Sequence, residues 1–278
     1  NCSINGTQII TGYQIRAATC GSIHFEGNSA AEIQVQEDWT QIQCDLFSDM
    51  LNHGSNIHIQ NSLFSNAMIT TKKSQLLSPV FLRVTGAAEE KQTGANNRYI
   101  FLKNVTFHNV HVDKTTQTYA REMFTGPIIQ IAASQLSVIF DSVTFNNLSA
   151  TPRDNILSIS AVNVSLLSCI FKNLKHNEMT GAFYLVLKSL VISGTVFQDN
   201  EGLEQAQSGL MTLINPVEKT PLSVVVANTS LIRNKAPVAS LMNIEGFSII
   251  LNITNCLFSD NIAQKAGLIF LQSTKKSE

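Results

Sequence analysis

Apolar and polar residues alternate along this chain in short runs, and the runs recur. The stretch IILNITNCLFSDNIA, residues 249 to 263, is typical: aliphatics at every second position, a small polar residue, then Cys and Phe two apart, then Asp. Alternation at period two marks a strand with one face buried, and no stretch shifts to the 3.6-residue period of a helix. Sliding this segment along the chain finds IHIQNSLFSN (57 to 66), IFLKNVTFHN (100 to 109), VIFDSVTFNN (138 to 147), VSLLSCIFKN (164 to 173), LVISGTVFQD (190 to 199), VVANTSLIRN (225 to 234) and LNITNCLFSD (251 to 260).

These copies align without a gap on Phe64, Phe107, Phe145, Phe171, Phe197, Ile232 and Phe258. Seven and five residues before each anchor the chain is apolar. Three before, it is Asn, Ser, Gly or Thr; two after, it is Asn66, Asn109, Asn147, Asn173, Asp199, Asn234 and Asp260. Phe145, Phe171 and Phe197 follow one another at 26 residues, as do Ile232 and Phe258, and insertions lengthen the other intervals. A unit of this length with strand periodicity predicts an all-β fold, a right-handed parallel β-helix of about 26 residues per coil. A second apolar strand lies between anchors, introduced by a small residue, in GAFYLVL (181 to 187), SGLMTLI (208 to 214), APVASLMNI (236 to 244) and KAGLIFLQ (265 to 272). Stacked coils place each column about 4.8 Å above itself. The Phe residues then stack on one another, and Asn66, Asn109, Asn147, Asn173 and Asn234 form an amide ladder that satisfies corner backbone groups.

The Phe and Asn/Asp columns resemble the FxxN repeats of right-handed β-helices found in polymorphic outer-membrane protein adhesins and in repeat-bearing surface proteins of microbial eukaryotes. Gly181-Ala182-Phe183 and Ala266-Gly267-Leu268-Ile269 resemble that group's GGA-aliphatic motif. The resemblance covers about residues 55 to 272 and implies a β-helical surface protein. Residues 1 to 54 are expected to form a cap or an irregular first coil, and 55 to 278 the β-helix. Segments 86 to 98, 111 to 126 and 200 to 209 read as insertions that protrude as loops. The chain opens on Asn1 and stops at AGLIFLQSTKKSE after the second strand of a coil. This predicts a piece of something longer, whose last coil is continued end to end by more of the same polypeptide or by another subunit.

Composition narrows the function classes. Charged residues are 14% of the chain, the formal net charge is −1 and the mean hydropathy is +0.09, so the chain folds with a polar, mostly uncharged surface. No basic patch offers itself to phosphates, which argues against nucleic acid. No run approaches the roughly 20 apolar residues of a membrane-spanning helix. Sequons stand at Asn1, Asn5, Asn104, Asn147, Asn163, Asn228 and Asn252. Asn163, Asn228 and Asn252 lie eight, four and six residues before their anchors, where side chains face solvent, and are the leading glycosylation candidates, followed by Asn104 and Asn5. Asn147 sits in the ladder column and is expected to stay bare.

Cys2, Cys20 and Cys44 cluster near the N-terminus and are the disulfide candidates, Cys20 with Cys44 or with Cys2. Cys169 and Cys256 share an inward column three coils apart, about 14 Å, too far to pair, so free thiols are expected. Carboxylate pairs for glycoside chemistry would sit roughly 5 to 9.5 Å apart in a cleft; Asp199 and Asp260 lie about 10 Å apart on a corner column. His108 and His111 lack a third ligand in register. No catalytic residue, metal or cofactor is expected, and the chain is read as not an enzyme. The predicted function is a rigid rod in an extracellular structural glycoprotein of a surface filament, coat or adhesin; the alternative is a glycan-binding or polysaccharide-processing β-helix.

Overall fold

The computed structural model describes strand backbones between residues 3 and 46 and, with side chains, most of residues 56 to 273. Outside the described residues lie 72–80, 87–98, 115–127, 134–135, 151–154, 177–180, 204–208, 216, 218–219 and 274–278. Cys2 and Cys20 fall outside as well, and of Cys44 and Asn5 only the backbone is described.

Every described element is a strand. None of the described residues forms a helix, so no helix is long and apolar enough to cross a membrane. The first strands are β1 (Ser3–Asn5), β2 (Gln8–Ile9), β3 (Gly12–Ala17), β4 (Ile23–Glu26), β5 (Ser29–Ala31), β6 (Gln34–Val35) and β7 (Trp39–Leu46). Next come β8 (Ile57–Thr71), β9 (Leu82–Gly86), β10 (Tyr99–Lys114), β11 (Ile129–Ala132), β12 (Ser137–Asp141), β13 (Thr144–Ala150), β14 (Leu157–Ser160), β15 (Asn163–Leu167), β16 (Ile170–His176) and β17 (Phe183–Val186). The chain continues through β18 (Ser189–Ser193), β19 (Val196–Gln198), β20 (Glu201–Gly202), β21 (Met211–Asn215), β22 (Leu222–Ala227), β23 (Ser230–Ile232), β24 (Lys235–Ala236), β25 (Met242–Gly246), β26 (Ile249–Thr254), β27 (Leu257–Ser259), β28 (Ile262–Ala263) and β29 (Ile269–Ser273).

All pairings are parallel, and they fall into a 20-stranded and a 9-stranded sheet. Three strand segments of each repeat join the larger sheet, and the fourth, the predicted second apolar strand, joins the smaller one in the series β3, β7, β9, β11, β14, β17, β21, β25, β29. β4, β5 and β6 pair in order with the start, middle and end of β8, and β7 pairs with β9.

Two columns of left-handed residues explain how one long strand serves three pairings. Asn61, Asn104, Ser142, Ser168, Gly194, Asn228 and Asn255 have φ between 49° and 62°, and so do Asn66, Asn109, Asn147, Asn173, Asp199, Arg233 and Asp260. Left-handed backbone costs most L-residues roughly 1–2 kcal/mol, whereas Gly, Asn and Asp tolerate it. The recurrent Asn and Asp therefore answer a backbone demand before any ladder is built. Each such residue bends the chain inside what is otherwise continuous extended structure, as at Asn61 and Asn66 within β8.

Between the bends the inward positions are apolar and fully buried, as in Val138 and Phe140 on β12, Val164 and Leu166 on β15, and Leu190 and Ile192 on β18. Phe107, Phe145, Phe171 and Phe197 are 0% exposed. Consecutive rings in this column stack with centroids at 4.7, 5.1 and 5.0 Å and interplanar angles of 16°, 13° and 8°. Aromatic pairs of this kind add about 0.5–1.5 kcal/mol each beyond their area burial. At Phe64 the stack tilts, with 57° to Phe107, because Phe81 inserts edge-on against Phe107 at 4.7 Å.

Gly181 and Gly209, ahead of strands of the nine-stranded sheet, are required by close approach of backbones. A Cβ on Gly209 would meet the Ala239 carbonyl oxygen at 1.8 Å, and one on Gly181, at φ 90°, would meet that of Gly209 at 2.5 Å. All three expected insertions are shorter than their sequence limits, the first by Gly86, which ends β9. His111–Lys114 belong to β10, and Glu201–Gly202 form β20 with Asn200 buried just ahead of it. Both short segments pair in register with their neighbours, His111 with Ser149 and Glu201 with Lys175.

Candidate functional site

The register corrects the alignment at one repeat. Phe197 pairs with Leu231, and Leu231 with Phe258, so Leu231 and not Ile232 is the anchor. Leu231 is 0% exposed and Ile232 is only half-buried. The interval from Leu231 to Phe258 is therefore 27 residues, matching the separation of Asn234 and Asn261. Asn228 consequently lies three residues before its anchor, at the left-handed bend, and Asn234 leaves the column of Asn66, Asn109, Asn147 and Asn173. Its place there is taken by Arg233.

Amide contacts form on both exposed bends, and a separate buried ladder runs in the interior. On the outer bend Asn109 Nδ2 donates to Asn66 Oδ1 at 2.9 Å, and Asn147 Nδ2 to Asn109 Oδ1 at 2.7 Å. The series stops at Asn173, whose amide turns to Asn146 Oδ1 at 3.3 Å. On the other bend Asn104 Nδ2 donates to Asn61 Oδ1 at 3.1 Å.

The buried ladder runs through Asn200, Asn234 and Asn261, three residues after the anchor. Asn200 Nδ2 donates to Asn234 Oδ1 at 2.8 Å, and Asn234 Nδ2 to Asn261 Oδ1 at 2.9 Å. The second amide hydrogen of each reaches the carbonyl of the anchor one repeat back: Phe171, Phe197 and Leu231. Backbone amides fill the remaining acceptor capacity, Leu174 N–H to Asn200 Oδ1 at 3.0 Å, Asn200 N–H to Asn234 Oδ1 at 3.2 Å and Asn234 N–H to Asn261 Oδ1 at 2.9 Å. Earlier in the chain this inward position is Val110, Leu148 and Leu174. The recurrence F-x-x-N, F-x-x-N with L-x-x-N between them marks the buried ladder in the sequence. Anchoring on Ile232 hid it.

A third inward column uses hydroxyls and thiols alike. Cys169, Thr195, Thr229 and Cys256 stand two residues before the anchor and each donates to the carbonyl two residues back: Leu167, Ser193, Ala227 and Thr254. Such local bonds hold the backbone just after the first bend. Both thiols are free; Cys169 is buried, and burial pushes it up to about 12. A buried thiol of that kind is unreactive and packs as a small apolar side chain.

The ionisable residues singled out by sequence are mostly taken up by neighbours across the repeats. Arg233 binds Asp199 through Nε at 2.7 Å and Nη2 at 3.0 Å, and this contact holds the Asp199 carboxyl below the usual range. Asp199 therefore stays ionised, with Arg233 beside it, rather than shared in a carboxylate pair with Asp260. His108 Nδ1 meets the Asn146 amide at 3.3 Å and His111 Nδ1 the Ser149 hydroxyl at 2.8 Å. Among the described residues no group of three or more His, Cys, Asp or Glu is placed to hold a metal ion.

The described sequons differ in geometry. Asn163, Asn228 and Asn252 are exposed. Asn163 Nδ2 donates to the Ser137 hydroxyl at 3.1 Å, whereas the side-chain amides of Asn228 and Asn252 make no hydrogen bond to a described residue. No family model, curated protein or solved structure compared with this chain matches it.

Proposed function

We propose that the two sheets wind into a right-handed parallel β-helix, and that this β-helix is a rigid, non-catalytic segment of an extracellular structural glycoprotein in a surface filament, coat or adhesin. The observation that carries the reading is the recurrence of left-handed residues at the same two positions of seven successive repeats. A chain that bends twice at fixed places and then pairs in register with its own previous repeat has one way to continue: it adds another turn on the same axis. The stacked Phe column and the buried Asn ladder run along that axis. The stiffness is mechanical, since bending the rod would break in-register backbone bonds in both sheets at once.

The proposal extends to segments of this kind stacking end to end along the rod. Phe258 is 41% and Leu271 53% exposed, although their pairing partners Leu231 and Ile244 are 0% exposed. Electron microscopy of the native material tests the whole reading. Rods with a repeat of about 4.8 Å that continue past β29 into another unit support it; single particles with no continuation at that surface overturn the assembly.

A further inference from the structure

The sequons are distributed unevenly around the repeats. Asn163 opens β15, Asn252 lies within β26, and Asn228 is the bend that follows β22. All three strands belong to the first segment of their repeats, the series β12, β15, β18, β22, β26. Asn163 pairs with Ser137 and Ser189, and Asn252 with Val225, all at outward positions beside inward residues such as Val164 and Val224. At about 3.3 Å per residue along a strand and about 4.8 Å between strands, the three asparagines lie within about 20 Å of one another. Asn104 and Asn147 donate through Nδ2 to another asparagine, Asn61 and Asn109, whereas Asn163 Nδ2 donates to the Ser137 hydroxyl and Asn228 and Asn252 make no side-chain hydrogen bond to a described residue.

We propose that Asn163, Asn228 and Asn252 carry N-linked glycans gathered on the outer face of these first segments, while Asn104 and Asn147 remain unmodified as ladder amides. This rests on the extracellular reading, because the co-reactant is an oligosaccharide carried on a lipid diphosphate in the secretory route. In the transfer the asparagine Nδ2 bonds to the sugar C1. The bond from C1 to the phosphate oxygen breaks, the lipid diphosphate leaves with that electron pair, and the amide loses one proton. A sugar on Asn147 would stand between amides that approach to 2.7 Å, whereas one on Asn228 or Asn252 displaces no hydrogen bond to a described residue, and one on Asn163 competes only with its bond to the Ser137 hydroxyl.

The face assignment also tells where contacts are made. Bulky hydrated glycans on the first segments leave the third segments, where Lys175, Glu201 and Lys235 are in register, as well as the outer face of the nine-stranded sheet, free of sugar.

The test is site occupancy on the whole chain secreted from cultured eukaryotic cells. Glycans are released by an amidase in oxygen-18 water, and each released asparagine is read by mass spectrometry as labelled Asp. Labelling at Asn163, Asn228 and Asn252 without Asn104 or Asn147, with one glycan mass lost in each of Ser165→Ala, Ser230→Ala and Thr254→Ala, is the expected result. Labelling at Asn104 or Asn147, or only at Asn1 or Asn5, keeps the extracellular reading and overturns the face assignment. A chain retained in the cells with no sequon labelled overturns the extracellular reading, and this inference with it.

Discussion

Arg233 holds Asp199 through both carboxylate oxygens across 34 residues of chain, from a backbone position that asparagine or aspartate occupies in most other repeats. Arginine gains nothing from its left-handed φ of 53°, so the exposed ion pair is what it offers in return. Exposed pairs contribute little, and salt screens them. Arg233→Asn is therefore expected to leave the urea midpoint unchanged or higher, and Arg233→Val, with a branched Cβ at the same φ, to lower it. A lower midpoint for Arg233→Asn would show that the ion pair outweighs the backbone strain.

Asn234 is the centre of the buried ladder, donating twice and accepting twice while 1% exposed. Asn234→Ala strands the Asn200 N–H and the Phe197 carbonyl away from water. Each orphaned group costs about 1–3 kcal/mol, so a loss of about 2–6 kcal/mol is expected in denaturant unfolding. Asn234→Leu, although leucine fills this column at Leu148 and Leu174, is expected to lose nearly as much, since the same groups stay unpaired. A stable leucine variant would show that the ladder is replaceable packing.

The anchor at the sixth aligned copy separates two registers experimentally. With Leu231 inward, Leu231→Ala removes a fully buried side chain and costs about 2–5 kcal/mol, while Ile232→Ala on the outward side stays within about 1 kcal/mol. Equal losses, or the reverse order, would restore the alignment on Ile232.

His176 is fully buried, and burial alone lowers its pKa to about 4 from 6.5. Above pH 6.5 the imidazole is neutral whether the chain is folded or not, so stability is flat there. Between pH 6.5 and about 4 the unfolded chain takes up a proton that the folded chain refuses, and stability falls as pH falls. The shift corresponds to on the order of 3 kcal/mol lost across that window. Unfolding free energy measured from pH 7 to pH 4 should show this slope, and His176→Leu should flatten it; an unchanged slope would place the acid sensitivity elsewhere.

Much of the architecture is legible in the residues because two local demands repeat. A left-handed bend admits few residue types, so Asn61, Asn104 and Asn255, with Asn66, Asn109, Asn147 and Asn173, stand out as columns. A buried strand face alternates, so Val138 and Phe140, or Leu190 and Ile192, declare their direction. Small residues before the second strand are legible for a related reason, since Gly181 and Gly209 meet another backbone with no room for Cβ.

What the sequence by itself determined, then, is the strand character, the bends and the Phe column, all of which depend on a residue and its near neighbours in the chain. The tertiary structure decided everything that depends on which residue stands above which. The run Val224, Val225, Val226 is apolar in either register, and only pairing with Leu190 and Ile192 on one side and with Leu251 and Ile253 on the other selects Val224 and Val226 as inward. That single step moves Leu231 into the core, puts Arg233 at the bend and hands Asn234 to Asn200 and Asn261. Because side chains on a strand alternate faces, a shift of one residue exchanges inside for outside; a local pattern cannot choose between the two, and a stacked neighbour can.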